Sequence, residues 1–156
     1  MVLTSERRMD AALKPPSYPQ PGCILLDRVC REMKAKYTRL FSDENGESHF
    51  EECESELALI DFAPPASPLA VSESFSASEA AFLAGPSGWI GDWHVSPSRN
   101  LFVVISGEWE VEASDGTTRL FFPNSVLLAE DISGKGHRSR VISDDESLAL
   151  LVRLVD

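Results

Sequence analysis

The stretch "GDWHVSPSRNLFVVISGEWEVEAS", residues 91–114, runs from a glycine turn through an adjacent tryptophan and histidine into a long apolar segment. Near its end, apolar and acidic side chains alternate strictly: Trp109, Val111 and Ala113 against Glu108, Glu110 and Glu112. A period of two residues is typical of a β-strand with one buried and one solvated face. We therefore interpret the glutamates as a solvent-exposed row rather than as paired catalytic carboxylates.

Tight-turn signals on both sides of this stretch predict more strands. Asn45-Gly46 separates "AKYTRLF" from "SHFEECE", and Asp115-Gly116 leads into "TTRLFF". The segment "ASEAAFLA" is ambiguous, although Gly85-Pro86 ends it clearly. Three further short segments, predicted as strands separated by turns, follow: "SVLLAED", "HRSRVIS" and "SLALLVRLV". No long stretch of helical period occurs after residue 35, so the sequence predicts an all-β sandwich or barrel.

The N-terminal residues 1–34 differ in composition and are predicted to form an extension to a main domain of residues 35–156. Ser5 is a suitable cap for a short helix through "ERRMDAALK", and "PPSYPQPG" has the composition of an extended arm. Two alternatives stay open for this arm: disorder, or contact with a partner subunit.

The charge balance bears on the choice of partners. The 156 residues include 14 Lys and Arg against 25 Asp and Glu, for a net charge of −11. Such a surface repels phosphate backbones and anionic membranes, so we expect neither nucleic acid nor a membrane as a partner.

The cysteines and the apolar segments bear on location. Cys23, Cys30 and Cys53 are odd in number and lack a C-x-x-C spacing, which favours reduced thiols over a disulfide framework. The N-terminus has no apolar run typical of a signal peptide, and the longest apolar segment is interrupted by Arg153. These features predict a cytoplasmic protein.

The spacing of the histidine-containing stretch resembles the first motif of the cupin superfamily. That motif places Gly, His, a second His, Glu and Gly at fixed intervals, and here Gly88, His94, Ser96, Asn100 and Gly107 occupy those positions without a gap. The segment "FFPNSVLLAEDISGKGHRSRV" is similar to the second motif, with Pro123 at its turn and His137 as its histidine. The resemblance to small single-domain cupins covers about residues 35–156 and implies a jelly-roll barrel, or double-stranded β-helix, with the N-terminal extension outside it.

Metal-dependent cupins bind Fe, Mn, Ni or Zn through three histidines and one glutamate of these motifs. At those positions the present chain keeps His94 and His137 as the two metal ligands that the resemblance implies, but has Ser96 and Asn100 in place of the others. A hydroxyl and a neutral amide are weak ligands for such ions. We therefore favour a chain without a cofactor, with a divalent transition metal as the alternative.

If the barrel closes as the resemblance implies, His94 and His137 point inward and form a proton-transfer site. Histidine titrates near neutrality and serves as a general acid or base, while Asn100 is placed to polarise a carbonyl. Glu130 or Asp131 is expected to orient a histidine ring, with the alternative that Asp131 only caps the turn. The alternative is that each histidine is only a hydrogen-bonded core residue.

Several further side chains around the motifs are predicted to contact the substrate: Trp89, Trp93, Ser96, Arg99 and Ser139. The tryptophans offer flat surfaces for a cyclic or unsaturated ligand. Arg99 belongs to a basic group with Lys135, Arg138 and Arg140. This group either steers an anionic substrate or pairs with the glutamate row.

The favoured function is acid–base chemistry on a small organic metabolite in the barrel pocket, as an isomerase, a cyclase, or a lyase such as a dehydratase or decarboxylase. Catalysis is assigned to His94, His137 and Asn100. The alternatives are a metal-dependent oxygenase and a non-catalytic module that binds a small metabolite. From the resemblance we also expect a homodimer, because many cupins pair through their sheets.

Overall fold

The computed structural model describes residues 33–155, and within that range every regular element is a β-strand. The all-β fold class predicted from the sequence is confirmed. The predicted N-terminal helix and proline-rich arm lie outside the described residues. No helix that could cross a membrane is found in the part of the chain that the structure describes.

Eleven strands follow one another within residues 33–155. They are β1 (Lys34–Ser42), β2 (Ser48–Glu56), β3 (Ala58–Ile60), β4 (Leu69–Val71), β5 (Ala77–Gly85), β6 (Asn100–Ser106), β7 (Trp109–Ala113), β8 (Thr118–Phe121), β9 (Val126–Glu130), β10 (His137–Val141) and β11 (Ser147–Leu154).

Two sheets form the body of the fold. The larger has six strands in the order β2-β1-β9-β6-β11-β5, and the smaller has three in the order β10-β7-β8. All neighbours are antiparallel except β1 and β9, which run parallel. Strands β3 and β4 form a separate two-stranded sheet.

The predicted turns are present, and the long apolar segment is divided. Gly46 and Gly116 both adopt positive φ, as tight hairpin turns require. The segment "NLFVVISGEWEVEAS" is two strands, β6 and β7, in different sheets. The break falls at Gly107, whose φ is +74° and where an added Cβ would lie 2.6 Å from Ser147. The ambiguous "ASEAAFLA" is strand β5, at the edge of the larger sheet in the described part of the chain.

The core lies between the two sheets, because one cluster of buried side chains draws on both. The larger sheet contributes Leu40, Val104 and Leu127, and the smaller contributes Trp109, Val111, Ala113, Phe121 and Val141. The apolar half of the β7 alternation is therefore buried, as predicted.

The acidic half of the β7 alternation faces solvent and is paired across the strand boundary. Glu112 accepts hydrogen bonds from Arg138 and Glu110 from Arg140, each with an N–O distance of 2.6 Å. The hydrogen bond with Glu110 raises the pKa of Arg140. These two arginines therefore pair with the glutamate row, as one of the two predicted alternatives has it.

Candidate functional site

A cavity of about 290 Å³ lies between the two sheets. Its polar lining consists of His94, Ser96, Asn100, His137 and Ser139; its apolar lining includes Leu83, Trp89, Phe102, Trp109, Val111, Leu127 and Leu151. Most of the predicted site residues are therefore brought to one place. Their catalytic and binding roles stay predictions.

The two histidines lie side by side at this cavity. His94 and His137 form an isolated antiparallel bridge, with backbone N–O distances of 2.9 and 2.8 Å. Their ring centroids are 4.5 Å apart. His137 is buried, with 7 % of its surface exposed, whereas His94 is exposed to solvent. The pair therefore spans from the buried interior to the cavity opening.

Gly136 makes this close approach possible. Its φ is +71°, and an added Cβ would fall 2.0 Å from the carbonyl oxygen of His94. Since no side chain fits at that distance, only glycine allows the loop before β10 to pack against residue 94. Gly134, two residues earlier, also makes a close backbone contact, in this case with Gly46.

Asp131 holds the ring of His137 in place. Its Oδ2 lies 2.6 Å from Nδ1 of His137, and its Oδ1 accepts a hydrogen bond of 2.7 Å from the hydroxyl of Ser96. The residue is fully buried. A carboxylate at Nδ1 fixes the tautomer of the imidazole and leaves Nε2 available to a ligand.

The ring of His94 is also held through its Nδ1, but by a backbone carbonyl group instead of a carboxylate. Its Nδ1 donates a hydrogen bond of 2.8 Å to the carbonyl oxygen of Asp92, which can only accept. Nε2 of His94 is thus the nitrogen left for a ligand. The two adjacent imidazoles are both held through Nδ1.

Asn100 is the first residue of β6 and is buried. Its Nδ2 donates a hydrogen bond of 2.8 Å to the carbonyl oxygen of Ser98, so the amide has a fixed orientation at the cavity wall. Ser139 lies on the same face of β10 as His137, as strand alternation predicts.

Two of the residues predicted to contact the substrate lie elsewhere. Trp93 is absent from the cavity lining, and its ring lies 5.5 Å from the guanidinium carbon of Arg138. Arg99 is also outside the lining and binds Glu130 at 2.6 Å. Their predicted contacts with substrate therefore lack support from this geometry.

Glu130 orients no histidine in the structure. Its carboxylate binds Arg39 and Arg99 instead, at 2.6 Å in each ion pair. Burial by itself raises the pKa of Glu130, but the hydrogen bonds from the two arginines outweigh it and hold the pKa below its usual value. Of the two predicted carboxylates, only Asp131 contacts a histidine.

The basic group predicted around the motifs is dispersed. Arg99 pairs with Glu130 and Lys135 with Glu47, while Arg138 and Arg140 pair with the glutamate row. No arginine or lysine is among the residues that line the described cavity.

The donor set does not fit the transition metal that the cupin resemblance implies. Such a metal needs three or four imidazole, thiolate or carboxylate ligands, and only His94 and His137 are present here. The nearby carboxylate of Asp131 is occupied by His137 and Ser96. Within residues 33–155 no group of three or more His, Cys, Asp or Glu is arranged to hold a metal ion.

Sequence reasoning predicted Trp89 at the pocket but missed two other aromatic side chains of its wall. Trp109, on the buried face of β7, also lines the cavity and packs edge-on against Phe102 and Trp89, with ring centroids 5.3 and 5.7 Å away. Strand parity could have shown that Trp109 and Val111 share the face that meets the histidines. It could not have shown how far the two sheets stand apart.

No family model matches the chain, and no curated protein matches it in sequence. Among solved structures, the chain is similar to the Cnp3 cupin domain of Schizosaccharomyces pombe, with 15 % identity, a TM-score of 0.42, and coverage of 80 % of this chain and 90 % of that one. It is also similar to a Salmonella typhimurium protein described as ethanolamine utilization protein Q, with 14 % identity, a TM-score of 0.33, and coverage of 78 % and 97 %. The similar structures thus include a cupin domain, the family that the two motifs resemble.

Proposed function

We propose that the protein is a small-molecule enzyme that uses His94 and His137 for acid–base chemistry in the cavity. The observation that supports this most directly is the contact of 2.6 Å between His137 Nδ1 and the fully buried Asp131, beside a second imidazole. The reaction class is proton transfer that leads to isomerisation, cyclisation, dehydration or decarboxylation of an organic metabolite.

His137 is the proposed general base. Asp131 holds its Nδ1 hydrogen, so Nε2 presents a lone pair to the substrate. When Nε2 takes a proton, the adjacent carboxylate stabilises the imidazolium that forms. Because Ser96 donates to the other oxygen of Asp131, the carboxylate keeps one orientation throughout.

His94 and Asn100 complete the proposed machinery. His94 lies at the cavity opening, beside His137, where its ring exchanges protons with solvent. In the proposed reaction His137 removes a proton from the substrate and His94 returns one. Asn100 is buried and fixed by its bond to Ser98, which suits a group that polarises a substrate carbonyl. The proton removed and the proton returned balance, so no oxidant or reductant is needed.

The test uses nitrobenzisoxazole, a neutral bicyclic probe. A base removes its ring C–H proton, the N–O bond breaks as a nitrile forms, and a coloured phenolate is released. We expect turnover by the wild-type chain and a loss of about 100-fold or more in His137→Ala, since general acid–base catalysis contributes about that much. The matched control is His49→Ala, which removes a histidine outside the cavity and leaves the rate unchanged.

Two results would reject catalysis. One is a rate in His137→Ala equal to that of the wild type, with both proteins folded by circular dichroism. The other is binding of the probe without turnover, which would indicate the non-catalytic binding module instead. In that case ligands raise the melting temperature and are recovered unchanged.

We also propose that this chemistry needs no bound metal, because two imidazoles alone hold a divalent ion weakly. Elemental analysis of protein purified without chelators is expected to give less than about a tenth of an equivalent of any transition metal, with turnover retained in EDTA. A full equivalent of metal, lost together with activity on chelation, would indicate the metal-dependent oxygenase.

The proposed partners are a small-molecule substrate and a second copy of the chain, with no nucleic acid and no membrane. The support for a homodimer is the position of β5 at the edge of the larger sheet among the described strands, where its residues before Gly85 are all exposed and include Phe82 at 73 % exposure. A long apolar edge strand favours pairing with another strand. Sedimentation is the test, with Phe82→Lys expected to give monomers.

The proposed location is the cytoplasm. The support is the thiol of Cys53, which is free, as cysteines are in a reducing compartment. Fractionation of cells that express the full chain tests this proposal.

A further inference from the structure

We propose that the cavity binds a small, uncharged, largely apolar ring compound with a single polar group directed at the two histidines. This inference deepens the proposed function, since it names the ligand class of the same cavity. It depends on the lining, the volume and the opening, and not on proton transfer.

The volume limits the ligand to one or two rings. The cavity measures about 290 Å³. An apolar protein cavity of about 150 Å³ is large enough to hold benzene. Since the present cavity has roughly twice that volume, a single ring with substituents or a fused pair of rings fills it, and a nucleotide or long chain does not fit.

The shape of the walls favours a flat ring. Trp109, Trp89 and Phe102 line the cavity, and their rings meet edge to face. Aromatic side chains in such arrangements offer faces and edges to a planar guest. Aliphatic side chains such as Leu127 and Leu151 complete the apolar lining.

The charges around the cavity exclude an ionised ligand. The lining contains no arginine, lysine, aspartate or glutamate among the described residues. Asp131, directly behind His137, has both carboxylate oxygens engaged and forms a pair with that histidine. Burial of an unpaired ion is costly, and while both imidazoles are neutral an anion or cation in this cavity has no charged side chain to pair with.

The opening supports the same ligand class. Leu83 and Trp89 line the cavity and are 42 % and 39 % exposed, so an entering molecule passes apolar side chains. The two arginines of β10, the strand of His137, lie on the outer face of the smaller sheet, where Arg138 pairs with Glu112 and Arg140 with Glu110. Both arginine side chains are half-exposed, but each is paired with a glutamate and neither lines the cavity.

The experiment compares three ring compounds of nearly equal size: benzamide, benzoate and benzamidine, which are neutral, anionic and cationic at neutral pH. We expect calorimetry to show benzamide binding at least about tenfold more tightly than either ion, since each ion must be buried without a partner. Benzoate or benzamidine binding as tightly as benzamide would overturn the inference. So would the absence of benzamide binding at millimolar concentrations.

Two variants locate the binding. Ala129→Leu adds carbon atoms at a buried position of the lining, and Leu83→Trp narrows the exposed opening without disturbing the core. Both are expected to weaken benzamide binding by about tenfold or more, whereas Leu128→Met, on the same strand but outside the lining, leaves it unchanged. Benzamide affinity that survives in both blocking variants contradicts the inference, because the compound then binds elsewhere.

The failure of this inference and of the proposed function are distinguishable. If benzamide binds selectively in the cavity but the rate with nitrobenzisoxazole is the same in His137→Ala as in the wild type, the ligand class stands and the proposed catalysis fails. If the His137→Ala rate falls but benzoate binds as well as benzamide, catalysis stands and the ligand class fails.

Discussion

His137 and His49 both contact aspartate, but they lie in different surroundings. His137 lies at the cavity, with 9 % of its side chain exposed and one fully buried carboxylate at 2.6 Å. His49 is 34 % exposed and lies between Asp115 at 2.8 Å and Asp43 at 3.3 Å, where it links the β1–β2 and β7–β8 turns. A contact between a histidine and a carboxylate therefore does not by itself mark a functional site, because His49 at the surface has it as well as His137 at the cavity.

The difference lies in what each ring nitrogen faces. Both ring nitrogens of His49 contact a carboxylate, and its ring packs against Phe41. His137 has only Nδ1 engaged by Asp131 and lines a cavity beside a second imidazole. A histidine is thus a candidate for chemistry here because one nitrogen stays open to an enclosed space.

The largest expected effect distinguishes the two carboxylates. Asp131→Ala leaves His137 and Ser96 without their buried partner and is expected to lower the free energy of unfolding by about 3–5 kcal/mol. Asp115→Ala, beside His49, is expected to cost less, about 1–2 kcal/mol, because it removes an exposed pair and two turn hydrogen bonds from Thr117. Urea denaturation of both variants measures this. Equal losses of unfolding free energy in the two variants would mean that the burial of Asp131 does not make its contacts more stabilising than those of Asp115.

The next effect tests how the two imidazoles are held together. In Gly136→Ala the new Cβ meets the backbone of His94, whereas in Gly116→Ala it meets nothing within 4 Å. Both glycines have positive φ, so both variants carry a strain of about 1–2 kcal/mol. Thermal unfolding is expected to show a loss at least twice as large for Gly136→Ala, with turnover of nitrobenzisoxazole also reduced. Identical melting temperatures would contradict the close approach of residues 94 and 136.

The smallest effect is a pH dependence at His49. The hydrogen bond with Asp115 raises its pKa most, burial opposes this, and Asp43 raises it further. The folded state therefore favours the protonated ring. The stability it contributes is fully present below the usual pKa of 6.5 and is lost as pH rises through the higher folded value.

The measurement subtracts the unfolding free energy of His49→Gln from that of the wild type at several pH values. The difference is expected to shrink as the pH rises above 6.5, since the folded state loses the proton at a higher pH than the unfolded chain does. Subtraction removes the contribution of the other histidines. A difference that grows with pH would show that the ring is bound in its neutral form.

The strands were predictable from the sequence because their signals are local. Asn45-Gly46 and Asp115-Gly116 each specify a turn within a few residues, and the β7 alternation specifies which side is buried. Parity along β9 also separates Asp131, on the cavity side with Leu127 and Ala129, from Glu130 on the other face. Strand alternation in the sequence is therefore enough to favour Asp131 over Glu130 as the partner of a cavity histidine.

The remaining features depend on contacts between distant segments. The pairing of Arg99 with Glu130 and the position of Trp93 under Arg138 are set by how loops fold over strands. No periodicity encodes them. The approach of Gly136 to His94 likewise follows from the packing of two loops. The glycine in the sequence indicates only that the backbone there adopts an unusual conformation or a close contact.

The parallel pair of β1 and β9 has a consequence for synthesis of the chain. Arg39 and Glu130, bonded across this pair, are separated by 91 residues, so the first hairpin leaves the ribosome long before its neighbour exists. Topologies dominated by such distant pairings fold slowly, on the order of milliseconds to seconds. During that interval one side of the nascent hairpin has unsatisfied backbone groups, and self-association of growing chains is the competing outcome that a chaperone would have to suppress.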